Sequence, residues 1–302
     1  MNLPKISIIT PSFNQGNYLE ETILSVLNQN YADLEYIIID GGSTDNSLEL
    51  IRKYERHLKY WVSEKDRGQS HAINKGLEHC TGQIFNWINS DDTLAEDALF
   101  KVASAFENSK ADIVAGEVNE FNEKGILRKV KNQKLEINEY LKKDVELIYH
   151  QPAVWLRMDI MKETGFFKEE MHYCFDQDYL MRYLLRHNKV CYLDEVVANF
   201  RVHDGSKSVS EAKNFAWDFR MMYKGFWQSQ NEPLLKKKAR RKFLEYEWPL
   251  LNGSINSEKK SRLANFSQAV KAILQDPGYR LNKNSIGWLK HILLGPKNES
   301  AK

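Results

Sequence analysis

LEYIIIDGGSTDNS, residues 34–47, is the stretch whose reading decides the fold. Leu34 to Asp40 carries three consecutive isoleucines, Ile37, Ile38 and Ile39, with no polar alternation. A strand covered on both faces reads this way, and such strands belong to parallel sheets sandwiched by helices. Gly41 and Gly42 stop the strand. Ser43, Thr44, Asp45 and Asn46 then supply turn and helix-cap side chains before Leu48, Leu50 and Ile51.

Working outward, the same unit repeats. Upstream, Ile6-Ser7-Ile8-Ile9-Thr10 is a β-branched run ended by Pro11, and Leu19, Ile23, Val26 and Leu27 follow at helical spacing. Downstream, Tyr60-Trp61-Val62 is a third strand and His71 to His79 a helix stopped by Gly82. Gln83 to Ile88 is a fourth strand running into Asn89-Ser90-Asp91-Asp92. Strand and helix alternate with short loops, which predicts a mostly parallel α/β sheet with right-handed crossovers. After residue 110 the pattern changes. Ile113-Val114 and 117–130 read as strands around a turn at Glu123-Lys124-Gly125, Ala153 to Leu156 as a strand, Asp178 to His187 as a helix, and Val196 to Val202 as an edge strand. From about 208 onward helices are expected at 210–229, 233–250, 256–275 and 284–294. The expected division is a catalytic domain over 1–207, with halves 1–110 and 111–207, and a basic helical extension over 208–302.

Composition agrees with a folded, soluble-type chain. Of 302 residues, 42% are hydrophobic and 28% charged, which excludes a disordered or fibrous protein. No apolar run approaches the roughly 20 residues of a membrane-spanning helix. The amino terminus lacks a signal-peptide layout, so a cytoplasmic location is expected. Cys80, Cys174 and Cys191 are too scattered for a disulfide framework or a zinc site. The net charge of +2 hides an asymmetry: residues 1–206 hold 24 Lys/Arg against 33 Asp/Glu, and residues 207–302 hold 19 against 8. In that tail, Lys236-Lys237-Lys238-Ala239-Arg240-Arg241-Lys242 lies between the aromatic run Trp217 to Trp227 and the apolar segment Ile286 to Leu294. Basic residues beside apolar ones fit a peripheral helix at the inner face of the cytoplasmic membrane, a cap on the core, or a homodimer contact.

Open α/β sheets bind ligands beyond the carboxyl ends of their strands. Four polar clusters fall there: Thr10-Pro11-Ser12-Phe13-Asn14, Asp40-Gly41-Gly42-Ser43, Glu64-Lys65-Asp66-Arg67-Gly68 and Asn89-Ser90-Asp91-Asp92. There is no GxGxxG after the first strand and no GxxxxGK[ST], so neither a nicotinamide site nor a P-loop nucleotide site is expected. What remains is an aspartate at the second strand's end, able to bond a base or ribose, and a carboxylate pair at the fourth. Asp91 and Asp92 suit Mg²⁺ or Mn²⁺; equally, they fit a cap for the next helix.

The order TPSFN, DGGSTDNS, EKDRGQSHAINKGL and GQIFNWINSDD resembles the inverting family 2 glycosyltransferases of the GT-A fold, closely over residues 5–100 and more loosely over 150–207. The resemblance implies transfer of a sugar from a nucleotide-diphosphate donor, most often a UDP-sugar, to a hydroxyl of a glycan or lipid-linked acceptor. It does not bring nucleic acid in as a partner. It implies a donor site at Thr10, Pro11, Ser12, Asn14, Asp40, Asp66, Arg67, Asn74, Asn89, Ser90 and Asp91, with Asp40 on the base. It implies Mn²⁺ or Mg²⁺ at Asp91, aided by Asp92 or His203. Asp176, in FDQDYLMR, would be the general base. His150, Gln151, Asp178, Arg201 and Lys207 would lie on the acceptor or diphosphate side. Two positions depart from the pattern: Asn89 stands where the first acid is expected, and Ile73 where many relatives carry Arg, leaving Arg67 or Lys75 to supply charge. A sugar-1-phosphate nucleotidyltransferase would use a similar sheet but needs a basic loop after its first strand. A non-catalytic sugar-nucleotide or glycan-binding module would have no use for Asp176.

Overall fold

The computed structural model describes residues 3–142, 149–203, 212–257, 261–275, 281 and 283–294. The chain divides into two compact units, Met1–Tyr140 with Val145–Ala212, and Leu141–Asp144 with Lys213–Lys302.

The first unit opens with β1 (Ile6–Ser12), α1 (Gly16–Leu27), β2 (Leu34–Asp40), α2 (Ser47–Tyr54), β3 (Tyr60–Ser63), α3 (Gln69–Leu77) and β4 (Ile84–Trp87). β1 pairs in parallel with both β2 and β4, and β2 in parallel with β3. The isoleucine runs are the reason. Ile8, Ile9, Ile37, Ile38 and Ile39 have no exposed surface, so both faces of these strands are covered. α3 lies so close to β1 that a Cβ on Gly76 would meet Ile9 Cδ1 at 2.6 Å, and only glycine fits there.

The rest comprises β5 (Thr93–Leu94), α4 (Ala98–Ser109), β6 (Ile113–Asn122), β7 (Gly125–Lys131), α5 (Ile137–Tyr140), β8 (Val154–Arg157), α6 (Met158–Thr164), α7 (Phe175–Leu184) and β9 (Val190–Arg201). The sheet runs β3-β2-β1-β4-β8-β6-β9-β5, with β7 on β6. β8 is antiparallel to β4 and β6, while β6 and β9 are parallel. The carboxyl ends of β1, β2, β3, β4, β6 and β9 and the start of β8 therefore share one end of the sheet. β9 is not the edge strand expected from its sequence: it begins at Val190 and is paired on both sides, because Thr93-Leu94 adds a two-residue strand beyond it. α4 begins at Ala98, which removes Asp91 and Asp92 from any capping role.

The opposite end of the sheet is tied by Glu35. Its carboxylate accepts from Ser7 Oγ (2.8 Å), Thr81 N (2.7 Å) and Thr81 Oγ1 (2.6 Å). Burial opposes the charge, but these bonds and nearby Lys5 outweigh it and hold the carboxyl down at about 2.

The second unit contains α8 (Ala212–Ser229), α9 (Pro233–Ser257), α10 (Arg262–Gln275) and α11 (Lys283–Leu294). Phe219, Tyr223 and Tyr246 stack against one another, as do Trp227 and Phe243. The basic run on α9 is split by helical geometry: Lys236 and Lys237 are exposed, while Ala239 and Lys242 are buried. Lys242 lies over the rings of Tyr223 and Tyr246 and pairs with Glu245 at 3.1 Å. No described helix is long and apolar enough to cross a membrane.

Candidate active site

At the carboxyl ends of the parallel strands, the loops after β1 and β2 are zipped together. Asn14, at φ 51°, donates its backbone N–H to Ser43 Oγ (2.8 Å) and accepts Thr44 N–H on Oδ1 (2.8 Å). Asp40 has no exposed surface. It accepts four hydrogen bonds: Gly42 N (3.1 Å), Ser43 N (2.9 Å), Ser43 Oγ (2.5 Å) and Ser63 Oγ (2.6 Å). In this conformation the carboxylate shapes the turn from within. Thr10 also points inward, to Tyr36 Oη at 3.0 Å, and Pro11 and Ser12 are buried. The Ser12 hydroxyl is buried with no hydrogen-bond partner among the described residues. Phe13, by contrast, is 59% exposed, an aromatic ring standing free at a strand end.

The loop after β3 turns at Gly68, whose φ of 118° lies in a region that side chains avoid, and Gly68 N–H bonds Asp66 Oδ1 at 2.8 Å. Arg67 is held by Glu169, with Nε at 3.0 Å, and Lys75 pairs with Glu64 at 2.7 Å. Asn74 is nearly buried. It accepts Phe167 N–H (3.0 Å), donates to Phe167 O (2.9 Å) and reaches Glu169 (3.2 Å). Its side chain fastens the 165–170 loop. Ile73 is fully buried, so an arginine is excluded there by the core around it.

Beyond β4, four neighbouring residues separate by direction. Ser90 and Asp92 are buried; Asn89 and Asp91 are partly exposed. Asp92 accepts Arg201 N–H on Oδ1 (3.0 Å) and Asn89 Nδ2 on Oδ2 (3.1 Å), and its backbone carbonyl accepts Thr22 Oγ1 (2.7 Å). Burial, and then Asp91 beside it, push its pKa well above the usual carboxylate range. Arg201 is also turned inward. Its Nε donates to Asp91 O at 2.9 Å, it pairs with Glu21, and its guanidinium stacks over Tyr18 and Phe121. His203 Nε2 lies 3.0 Å from Asp91 Oδ2, its ring against Tyr18.

That separation tests the site for a cation. Two ligands at about 2.1 Å in adjacent octahedral corners stand about 3 Å apart. Asp91 and His203 therefore fit two corners, leaving others for phosphate and water; Asp92, with both oxygens engaged inside, does not. Among the described residues no group of three or more His, Cys, Asp or Glu side chains is arranged to hold an ion.

Asp176 lies in the first turn of α7, whose Phe175 packs on Trp87 at the end of β4. Burial raises the Asp176 carboxyl to about 6, against hydrogen bonds from Gln177 N–H and the Tyr149 phenol. Its neighbour Asp178 faces the other way, clasped by Lys168 (2.7 Å) and Arg182 (2.9 Å). Gln151 anchors β4 through Asn86 Oδ1 (2.7 Å) and Trp87 O (2.9 Å). His150 is buried 3.5 Å from Glu120; burial pushes its pKa down against the pull of that carboxylate. Lys207 lies outside the described residues.

Phe13, Gln69, Glu21 and Tyr149 escaped the sequence reading. An apolar residue inside a polar strand-end motif was the signal for Phe13. The other three carry no local signal, since their partners are remote in sequence.

Residues 7–165 match the family described as Glycosyl transferase family 2, and the chain belongs to that family. An uncharacterized glycosyltransferase of Haemophilus influenzae is 42% identical over 104 residues, 33% of this chain and 42% of that protein. The chain thus spans less than half the length of that relative. Staphylococcus aureus TarS 1-349 in complex with UDP-GlcNAc matches 95% of this chain and 81% of its own, at 20% identity and a TM-score of 0.61. Mannosyltransferase PcManGT from Pyrobaculum calidifontis, in complex with GDP-Man and Mn2+, matches 97% and 87%, at 17% identity and a TM-score of 0.60. These likenesses establish the GT-A fold.

Proposed function

We propose that this protein moves a sugar from a nucleotide-diphosphate donor, a UDP-sugar, to a hydroxyl of a glycan or lipid-linked acceptor, in one displacement that inverts the anomeric carbon. The observation that carries the reading is a convergence at one end of the sheet: a partly exposed Asp91–His203 pair, and an Asp176 carboxyl raised to about 6 at the start of α7. The UDP-GlcNAc held by TarS 1-349 and the GDP-Man and Mn2+ held by PcManGT are consistent with it.

The donor's base stacks on Phe13 and meets the turn that Asp40 organises. Asp91 and His203 hold Mn²⁺ or Mg²⁺, with Asp92 and Arg201 setting the loop from behind. When bound, the cation supplies positive charge to the departing nucleotide diphosphate. Asp176 accepts the proton of the acceptor hydroxyl as its oxygen attacks, a role in which a carboxylate near 6 is better matched to neutral pH than one near 4.

The test is thermal stabilisation by a panel of nucleotide diphosphates, with and without Mn²⁺. Ligand at about 100 times its Kd adds roughly 2.7 kcal/mol to the native state, which is roughly 5–10 °C in Tm for a unit of this size. The expected result is a Mn²⁺-dependent shift with UDP that Asp91→Asn loses. No shift with any nucleotide removes the proposal.

The second unit exposes Ile286, Leu293 and Leu294 on α11 with Lys290 among them, on the part of the chain carrying the positive excess. This supports peripheral contact with an anionic membrane surface. Flotation of the full chain with phosphatidylglycerol vesicles, weakened by salt and by Ile286→Glu with Leu293→Glu, is the expected outcome. Equal recovery with and without vesicles refutes it.

A further inference from the structure

We infer that Asn89 and Gln69 form an amide relay that positions the cation loop, and that position 89 is not a ligand position in this protein. The inference deepens the proposed function and rests on its Asp91–His203 cation pair.

The hydrogen bonds converge on Asp92 from two sides. Gln69 Nε2, at the start of α3, donates to Asn89 Oδ1 at 2.6 Å. Asn89 Nδ2 donates to Asp92 Oδ2 at 3.1 Å, and Asp92 Oδ1 accepts the Arg201 backbone N–H at 3.0 Å. Arg201 Nε then holds the carbonyl of Asp91 at 2.9 Å, and Asp91 faces His203. Residue 89 must present an acceptor to Gln69 and a donor to Asp92 at once. An amide does both and a carboxylate cannot. An aspartate there would place an acceptor oxygen against Asp92 Oδ2, which accepts the Asn89 amide N–H at 3.1 Å, and would leave that contact without its donor. The amide in this motif thus follows from the inward turn of Asp92. Gln69, within the EKDRGQSHAINKGL segment but given no role there, joins the donor-side loop of Gly68 to the cation loop.

A four-protein cycle tests this on the full chain: wild type, Asn89→Asp, Asp92→Asn, and the two together. Tm is read in EDTA, and Mn²⁺ binding by loss of the free-ion electron paramagnetic resonance signal. Asn89→Asp alone is expected to lower Tm by roughly 3–8 °C, as the loss of a part-buried hydrogen bond with two acceptors left facing each other implies. It is also expected to weaken Mn²⁺ by about tenfold, the usual consequence of losing a group that orients a ligand. In the double variant the acid and amide exchange places: the carboxylate introduced at position 89 accepts from Gln69 and from the new amide at position 92, whose oxygen accepts Arg201 N–H. Both Tm and Mn²⁺ affinity are expected to recover, the coupling expected of positions that share one hydrogen-bond network. Tighter Mn²⁺ binding in Asn89→Asp would make 89 a ligand position and overturn the relay. So would a double variant no better than Asn89→Asp, or a Tm that moves through the cycle while Mn²⁺ affinity stays constant. A wild type that takes up no Mn²⁺ overturns the cation pair instead; the relay is then decided by Tm, which needs no metal.

Discussion

Asp176→Asn is expected to lower kcat by about 10²–10⁴-fold, the usual contribution of a positioned proton acceptor, while the nucleotide-dependent rise in Tm stays intact. The side chain keeps its size and its contact with Tyr149 and loses only its capacity to take a proton. In the wild type, kcat/KM is expected to rise with pH through about 6, where the carboxyl ionises, and to retain about a tenth of its plateau at pH 5. The sign for stability is the reverse. Burial raises this carboxyl above its unfolded value, so the ionised form opposes folding above that value, and the asparagine variant is expected to melt no lower than wild type at pH 7. A variant that melts higher and transfers nothing marks a group held for chemistry. Full transfer by Asp176→Asn would eliminate it as the base; donor binding with no transfer eliminates a pure binding module.

Asp40→Asn is expected to be the most damaging conservative change at the donor end. Four donors converge on this carboxylate from its own turn and from Ser63. Asparagine has one acceptor atom, and its amide N–H₂ would face donors across a site with no access to water. Hydrogen bonds to a charged group contribute about 1.5–3 kcal/mol each, and an unsatisfied buried donor costs about as much. A loss of roughly 3 kcal/mol is expected, seen by calorimetry as a Tm lower by roughly 6–12 °C. UDP binding is expected to disappear with it, because the Asn14–Ser43–Thr44 zipper hangs on this turn. If calorimetry shows an unchanged Tm and only UDP affinity falls, Asp40 acts by touching the base, and the role of turn organiser is wrong.

Much of the architecture was legible in the linear chain. Three isoleucines in a row ahead of Gly41-Gly42 leave few alternatives to a strand buried on both faces, and the observed β2 spans the same Leu34 to Asp40. The helices of the second unit fall close to their apolar periodicity for the same reason: local pattern and final environment agree. The polar residues are different. Asp91 and Asp92 are adjacent and chemically identical in sequence, yet one is partly exposed beside His203 and the other is sealed against Arg201, 109 positions away. Asp176 and Asp178 divide likewise, one beside Tyr149, the other clasped by Lys168 and Arg182. Asn74, Gln151 and Arg201, expected near ligand from their place in motifs, have side chains hydrogen-bonded to loop and strand-end groups of the protein. By itself, the sequence determined which strands form, where they end and which residue types gather there, because hydrophobic periodicity and turn chemistry act over a few residues. Which of those side chains turns outward to work and which turns inward to hold was decided only by tertiary structure, because hydrogen-bond partners and burial are properties of distant segments brought together.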